Sequence, residues 1–261
     1  SSLDLFEIPP YQTSVSSYYY DEVRPLSVIT DSSLVEFLIT NNGSDYLDLK
    51  RSRLHVKLKI VHEDGTSLKE QEKIGPVNLL LHSLWGQVAV YLQGQLLSSS
   101  NGGYPYKSMM RTMLDYGEDV KRSLLTSQLF YADTGDSTTE YDSGDPYKGG
   151  NDGFIMRSVY VAKSKSVTLS GPLLEDIFDL DRFIVNGIDV GIKLFRNNPN
   201  FVLMSDESGV GYKIILEDVY MKVCKLRINN ALILAHAKQF EKKNALRSEE
   251  RRVGKECRSR W

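Results

Sequence analysis

Gly75 to Tyr106 reads GPVNLLLHSLWGQVAVYLQGQLLSSSNGGYPY, and this stretch decides the fold. Gly75-Pro76 breaks the chain. Val77, Leu80, Leu81, Leu84 and Trp85 then recur at helical spacing, so a short apolar helix is expected, stopped at Gly86. Val88-Ala89-Val90-Tyr91-Leu92 alternates and sends Val88, Val90 and Leu92 to one face of a sheet. Gln93-Gly94 turns the chain back through Gln95-Leu96-Leu97, which makes a β-hairpin. Ser98 to Gly103 reads as a polar loop, and Tyr104-Pro105-Tyr106 opens another helix. A hairpin fed and followed by short helices predicts a β-sandwich whose inter-strand loops carry helices.

Working outward, the cleanest strand is Arg53 to His62. Leu54, Val56, Leu58 and Ile60 face one way, and Arg53, His55, Lys57 and Lys59 the other, so one sheet face is buried and the other is wet or meets a partner. Leu34 to Thr40 is a strand closed by Asn41-Asn42-Gly43, where the glycosylation sequon Asn42-Gly43-Ser44 reads as turn chemistry. Asp64-Gly65 is a second turn. Tyr106 to Leu114 carries apolar residues at helical spacing, Gly117 breaks it, and Val120, Leu124 and Leu125 predict one more short helix. Leu129-Phe130-Tyr131 reads as a brief strand or the end of that helix. Thr134 to Gly153 is a polar loop of a length that usually signals function or mobility.

Phe154 to Val161 favours a helix, Ser166 to Ser170 a strand, and Ile188 to Phe195 a strand with Ile188, Val190, Ile192 and Leu194 on one face. Phe201 to Met204 follows a turn at Asn197 to Asn200. Tyr212 to Ile228 is a long strand with a bulge near Asp218, because the inward set Ile214 and Leu216 changes parity to Val219, Met221 and Val223. Asn229-Asn230 can cap a closing helix, 231–243. Many strands without βαβ alternation predict an all-β jelly-roll sandwich with short helices in the inter-strand loops and a closing C-terminal helix. Residues 1–31, with Pro9-Pro10, Pro25 and Tyr18-Tyr19-Tyr20, read as an extended N-terminal arm.

Residues 247–261, RSEERRVGKECRSRW, resemble the in-frame translation of a common sequencing-adapter oligonucleotide and are set aside from fold reasoning as a non-native tail. The alternative is a basic nucleic-acid-binding tail. Without these residues the formal charge moves from −2 to −5, with 26 basic against 31 acidic side chains, which argues against a broad nucleic-acid surface. One cysteine then remains, Cys224, in an alternating strand where a buried small side chain is expected. The chain has no run of eighteen apolar residues and no N-terminal signal pattern, so neither a membrane span nor a leader is expected.

The search for chemistry returns no catalytic, cofactor-binding or metal-binding residue. His55, His62, His82 and His236 show no His-x-His or His-Glu-x-x-His spacing, and Cys-x-x-Cys is absent. His62-Glu63 is the nearest approach to a cupin-type metal motif and lacks its partner histidine. His82 beside Ser83 needs an orienting acid to act as a nucleophile pair; donation to a nearby carbonyl is the expected role. Glu175, Asp176, Asp179 and Asp181 lack the spacing of a calcium loop and read as a solvated acidic face. Gly102-Gly103 and Gly149-Gly150 lack the lysine of a phosphate loop, and Lys121-Arg122 with Lys163 to Lys165 are too sparse to hold a genome.

An ordered series of short motifs resembles one family. They are Asp4-Leu5-Phe6, Ile8-Pro9-Pro10, Tyr46-Leu47-Asp48-Leu49, Gly75-Pro76-Val77-Asn78, Leu81-His82-Ser83-Leu84 and Ser98-Ser99-Ser100, followed by Tyr104-Pro105-Tyr106 and Leu125-Thr126-Ser127-Gln128-Leu129. Gly171-Pro172-Leu173, Asp176-Ile177-Phe178, Asn186-Gly187 and Leu234-Ala235-His236-Ala237 complete it. In this order they resemble the double jelly-roll major capsid proteins of Polinton (Maverick) and adintovirus-like elements, over nearly all of residues 3–246. The resemblance implies a non-enzymatic structural protein without cofactors. It implies that residues 32–246 are the first jelly roll, with the second one missing. It further implies a homo-oligomeric, trimeric capsomer in an icosahedral virion capsid, assembled in the host cytoplasm or nucleus, with the gene a virus or an integrated transposable element. The rival readings are a carbohydrate- or receptor-binding jelly roll and a cupin-type enzyme.

Overall fold

The computed structural model describes residues 13–29, 34–41, 43–134, 145–147, 150–207 and 209–241. Two long strands form its spine. β3 is Asp45–His62 and β10 is Tyr212–Ile228, and they pair antiparallel with Ile214 opposite Ile60 and Leu216 opposite Leu58. The next pairs are Asp218 with Lys57, Val219 with Val56 and Met221 with Leu54, so Glu217 is an extra residue and the inward parity changes there, as the sequence predicts. Glu217 lies between Lys57 and Lys59, 3.4 Å from each Nζ. A second irregularity takes β10 from Lys222, opposite Arg53, to Cys224, opposite Asp48. The intervening β3 residues loop out, held by Ser52 Oγ donating to the Asp48 carbonyl (2.8 Å) and accepting from the Cys224 N–H (3.1 Å). That interruption is why only the half from Arg53 onward reads as a clean strand.

The remaining strands are β1 (Val15–Val23), β2 (Leu34–Ile39), β4 (Ile74–Pro76), β5 (Trp85–Leu92), β6 (Gln95–Ser99), β7 (Val167–Gly171), β8 (Val190–Arg196) and β9 (Leu203–Ser205). One sheet has the order β1-β10-β3-β7, the second β2-β8-β5-β6, and β4 pairs with β9 in a two-stranded piece. Eight strands in two antiparallel four-stranded sheets, with the chain crossing between sheets except at the β5–β6 hairpin, form a jelly roll. Leu54, Val56, Leu58, Ile60, Val219 and Met221 of the first sheet meet Phe37, Val88, Val90, Ile192 and Leu194 of the second in one buried core. Burial of each such side chain stabilises the fold by about 1.5–3 kcal/mol. The hairpin turn has positive φ at Gln93 (49°) and Gly94 (76°), as the favoured two-residue turn requires.

The helices are α1 (Leu80–Ser83), α2 (Tyr104–Asp115), α3 (Glu118–Arg122), α4 (Asp152–Val161), α5 (Pro199–Val202) and α6 (Asn230–Glu241), with 3₁₀ turns at Leu124–Gln128, Ala162–Ser164 and Asp176–Asp179. Asn229 Oδ1 accepts from the Ala231 N–H and caps α6.

Several expectations are corrected. Val15–Val23, read as part of an arm, is the outer strand of the first sheet, paired with β10 from Val15–Ile228 to Val23–Met221. The apolar helix shrinks to four residues, because Gly75-Pro76 is strand, Leu79 takes a left-handed φ of 56°, and Trp85 already belongs to β5. Ser98 and Ser99 lie in β6 and not in a loop. Leu129 to Tyr131 is neither strand nor helix, and Phe201 to Met204 divides between α5 and β9. Most of the polar loop 134–153, the first twelve residues and the tail 247–261 lie outside the described residues.

Candidate assembly surfaces

The residues singled out for chemistry are structural wherever the structure describes them. His82, on α1, is fully buried: Nε2 is 2.8 Å from Gln128 Oε1 and Nδ1 is 2.9 Å from the Tyr104 hydroxyl. Oε1 can only accept, so Nε2 carries the proton and Nδ1 accepts from Tyr104. The Tyr104 oxygen in turn accepts from the Leu174 N–H (3.1 Å). Burial lowers the His82 pKa to about 4, fixing the neutral ring. The carbonyl it serves is thus a side-chain amide, which joins α1, α2 and the Leu124–Gln128 turn. Ser83 Oγ donates to the Asn78 and Leu79 carbonyls (3.0 and 3.1 Å), not to His82, so no nucleophile pair forms.

His55 stacks on Tyr220 at 4.8 Å, nearly parallel, on the outer face of the first sheet. His62 Nε2 lies 3.1 Å from Glu72 Oε1, which also accepts from the Tyr212 hydroxyl (3.1 Å). His236 Nδ1 lies 2.7 Å from the Tyr46 hydroxyl and helps seat α6. Among the described residues, no three His, Cys, Asp or Glu side chains are arranged to hold a metal ion. Cys224 is buried, and its thiol pKa is pushed up by that burial.

The acidic segment differs from its reading as a solvated face. Asp176, Asp179 and Asp181 are exposed, but Glu175 is only 1% exposed. Its Oε2 accepts from Lys107 Nζ (2.9 Å) and Ser98 Oγ (2.8 Å). Lys107 also meets Asp176 (3.1 Å), and Arg111 meets Asp179 (2.9 Å). These contacts clasp α2 to the segment after β7. The helical i, i+4 spacing of Lys107 and Arg111 was the available signal, and it became informative only once the acids were known to lie opposite.

Arg157, on α4, was missed altogether. It is 2% exposed, and its guanidinium donates to the carbonyls of Pro76 (3.1 Å) and Tyr131 (2.8 Å) and to Asp133 (2.7 Å). Gly75 lies under α4, where an added Cβ would come within 2.6 Å of the Phe154 ring. α4 is therefore pinned to β4 by close packing and a buried cation together.

Both helices carry apolar side chains outward. On α2, Tyr106, Met110, Met113 and Leu114 are 63, 62, 54 and 81% exposed, while Ser108 and Thr112 are buried against the body. On α4, Met156, Val159 and Tyr160 are exposed while Arg157 and Ser158 are buried. The outer strand β1 shows Tyr18, Tyr19 and Tyr20 to solvent. Arg51 lies over Tyr18 at 4.7 Å, and Tyr19 donates to Asp45 (2.6 Å), which pushes its phenol up to about 12. Several basic residues at the sheet surfaces pair with acids: Arg24 with Asp218 and Glu22, Lys225 with Asp21, Lys193 with Glu36. Among the described residues, no helix is long and apolar enough to cross a membrane.

No family model matches the chain. An uncharacterized protein of Caenorhabditis elegans is 23% identical over 233 residues, covering 86% of this chain and 52% of that protein. Among solved structures, the major capsid protein of Faustovirus aligns with a TM-score of 0.58 at 10% identity, over 90% of this chain and 58% of that one. A chain of the Sputnik virophage aligns at 0.55 and 13% identity, over 87% and 51%. VP54 of PBCV-1 aligns at 0.52 and 8% identity, over 89% and 47%. The shared feature is the jelly-roll fold, and the chain spans about half the length of the proteins it matches.

Proposed function

We propose that this chain is the first jelly roll of a double jelly-roll major capsid protein from a Polinton (Maverick) or adintovirus-like element. The observation that carries the reading is the coverage: an eight-strand jelly roll matches nine-tenths of this chain to 58% of the Faustovirus major capsid protein. A second sandwich of similar size fills the remainder in this reading, with the first domain running from β1 at Val15 to residue 246 and 247–261 as adapter-derived sequence. The residues ahead of Val15 are read as an arm. The polypeptide performs no reaction and uses no cofactor; it forms trimeric capsomers and, with other capsid subunits, an icosahedral virion shell. Assembly takes place in the host cytoplasm or nucleus. The nematode relative suits a gene carried within an animal genome. Matched surface charges and the acidic balance suit a protein that does not bind nucleic acid directly.

The test is the nucleotide sequence past codon 246, followed by expression of the whole frame and electron microscopy. An open frame entering a second strand-rich half, and threefold particles from its product, are expected. A frame that closes there, or a full-length product that stays monomeric and binds glycans, overturns the reading in favour of a receptor-binding module.

A further inference from the structure

α2 carries an apolar stripe on its solvent side. Its side toward the body carries Tyr104, Ser108 and Thr112, with Met109 packed on the Leu79, Leu125 and Phe130 cluster and Lys107 and Arg111 reaching the acids at 175, 176 and 179. Its solvent side carries Tyr106, Met110, Met113 and Leu114, spaced i, i+4, i+7, i+8, which is one continuous stripe. Phe201 of α5 extends it, edge-on to Tyr106 at 5.9 Å. A contiguous exposed apolar stripe rimmed by charge marks a protein interface. Methionine suits such a surface because its unbranched side chain adapts to a partner.

We infer that this stripe is the seat of a neighbouring copy of the same polypeptide. The inference rests on the capsid reading and names the contact within it. Two observations select a second copy over a following domain of the same chain. α2 packs against β5 of the second sheet, whereas α6, from which any continuation issues, packs through Leu232 and Ile233 on Tyr46, Leu226 and Ile228 of the first sheet. The described part of α6 therefore lies on the first sheet, away from β5. In addition, buried Tyr104 and the clasp by Lys107 and Arg111 hold α2 in place without the exposed Tyr106, Met110, Met113 and Leu114, so that stripe is available to another molecule in a preset orientation. In a threefold ring the contact is heterologous: the stripe meets a different patch on the next copy.

The experiment is sedimentation velocity of the 261-residue chain over a concentration series, with M110E/L114E as the test and Leu96→Glu, on the outer strand of the second sheet, as the control. Wild type and the control should self-associate, and M110E/L114E should do so about tenfold or more weakly with an unchanged circular dichroism spectrum. Should the double variant unfold, Tyr106→Ser and Met113→Gln give the same readout with smaller changes. A folded wild-type chain that stays monomeric throughout the series overturns the inference, as does self-association that these variants leave intact. If the complete frame forms trimers that M110E/L114E does not weaken, this contact is wrong while the capsid reading stands. Absence of particles from the complete frame is the separate failure of that reading.

Discussion

Lowering the pH through the histidine range should destabilise this fold through one buried ring. His82 is fully buried, donates to Gln128 and accepts from Tyr104. Its folded pKa is about 4, against 6.5 for an ordinary histidine. The folded value is the lower one, so the unfolded chain takes up the proton first. The contribution is therefore complete above the ordinary value, is lost as pH falls toward the folded value, and is flat below it. The full gap corresponds to about 3 kcal/mol, and about 2 kcal/mol of it should disappear between about pH 7 and about pH 4.5. Urea unfolding of wild type and His82→Gln at these two pH values isolates the effect. Glutamine offers an acceptor and a donor in place of the ring nitrogens but does not titrate, and every carboxylate is common to both proteins. The stability difference between them should shift by about 2 kcal/mol in favour of the variant on acidification. Parallel losses in the two proteins would refute a buried, neutral His82.

The clasp on α2 predicts that Lys107→Met, which strands the buried Glu175 carboxylate, costs about 3–5 kcal/mol in urea unfolding, and that adding Glu175→Gln recovers part of the loss. Leu58→Ala in the shared core should cost about 2–5 kcal/mol, whereas Leu38→Ala on the outer face of the second sheet should stay within about 0.5 kcal/mol in the same assay. Gly94→Val should cost about 1–3 kcal/mol because Gly94 has a φ of 76°, and Gly94→Asn should cost less; amide exchange of the β5–β6 hairpin would report the difference.

The parts of the fold that could be read from sequence are those where one strand face is dry and the other wet. β3 beyond Arg53, the β5–β6 hairpin and β8 all alternate for that reason, and even the bulge at Glu217 is visible as a change of parity in β10. β1 escaped because it is an outer strand with both faces largely exposed, so SSYYYDE carries no alternation. β4 and β9 are three residues each, and β4 contains Gly75 and Pro76, which ordinarily argue against a strand; pairing at the margin of the fold tolerates them. Around Leu80 the whole segment is buried, so helical spacing of the leucines could not show how short α1 is. The buried polar groups were the least legible. Arg157 and Glu175 look like ordinary surface charges until the fold brings Asp133 and the Pro76 and Tyr131 carbonyls to one and Lys107 and Ser98 to the other.

Two helices of the long excursion between β6 and β7, α2 and α4, depart in part from the pattern that sequence rules assume. Sequence rules assume that a helix buries its apolar side; α2 buries Ser108 and Thr112 beside Tyr104, and α4 buries Arg157 and Ser158 beside Phe154 and Val161, while Tyr106, Met110, Met156 and Val159 face outward. Such an arrangement costs stability in an isolated molecule, since polar groups lose water and apolar groups keep it. It persists where a second requirement outweighs that cost, and the inferred contact with a neighbouring copy would supply that requirement. The two sheets then account for folding. In the inferred contact, α2, held by the Glu175 anchor, would account for association, and the substitutions that abolish one need not touch the other.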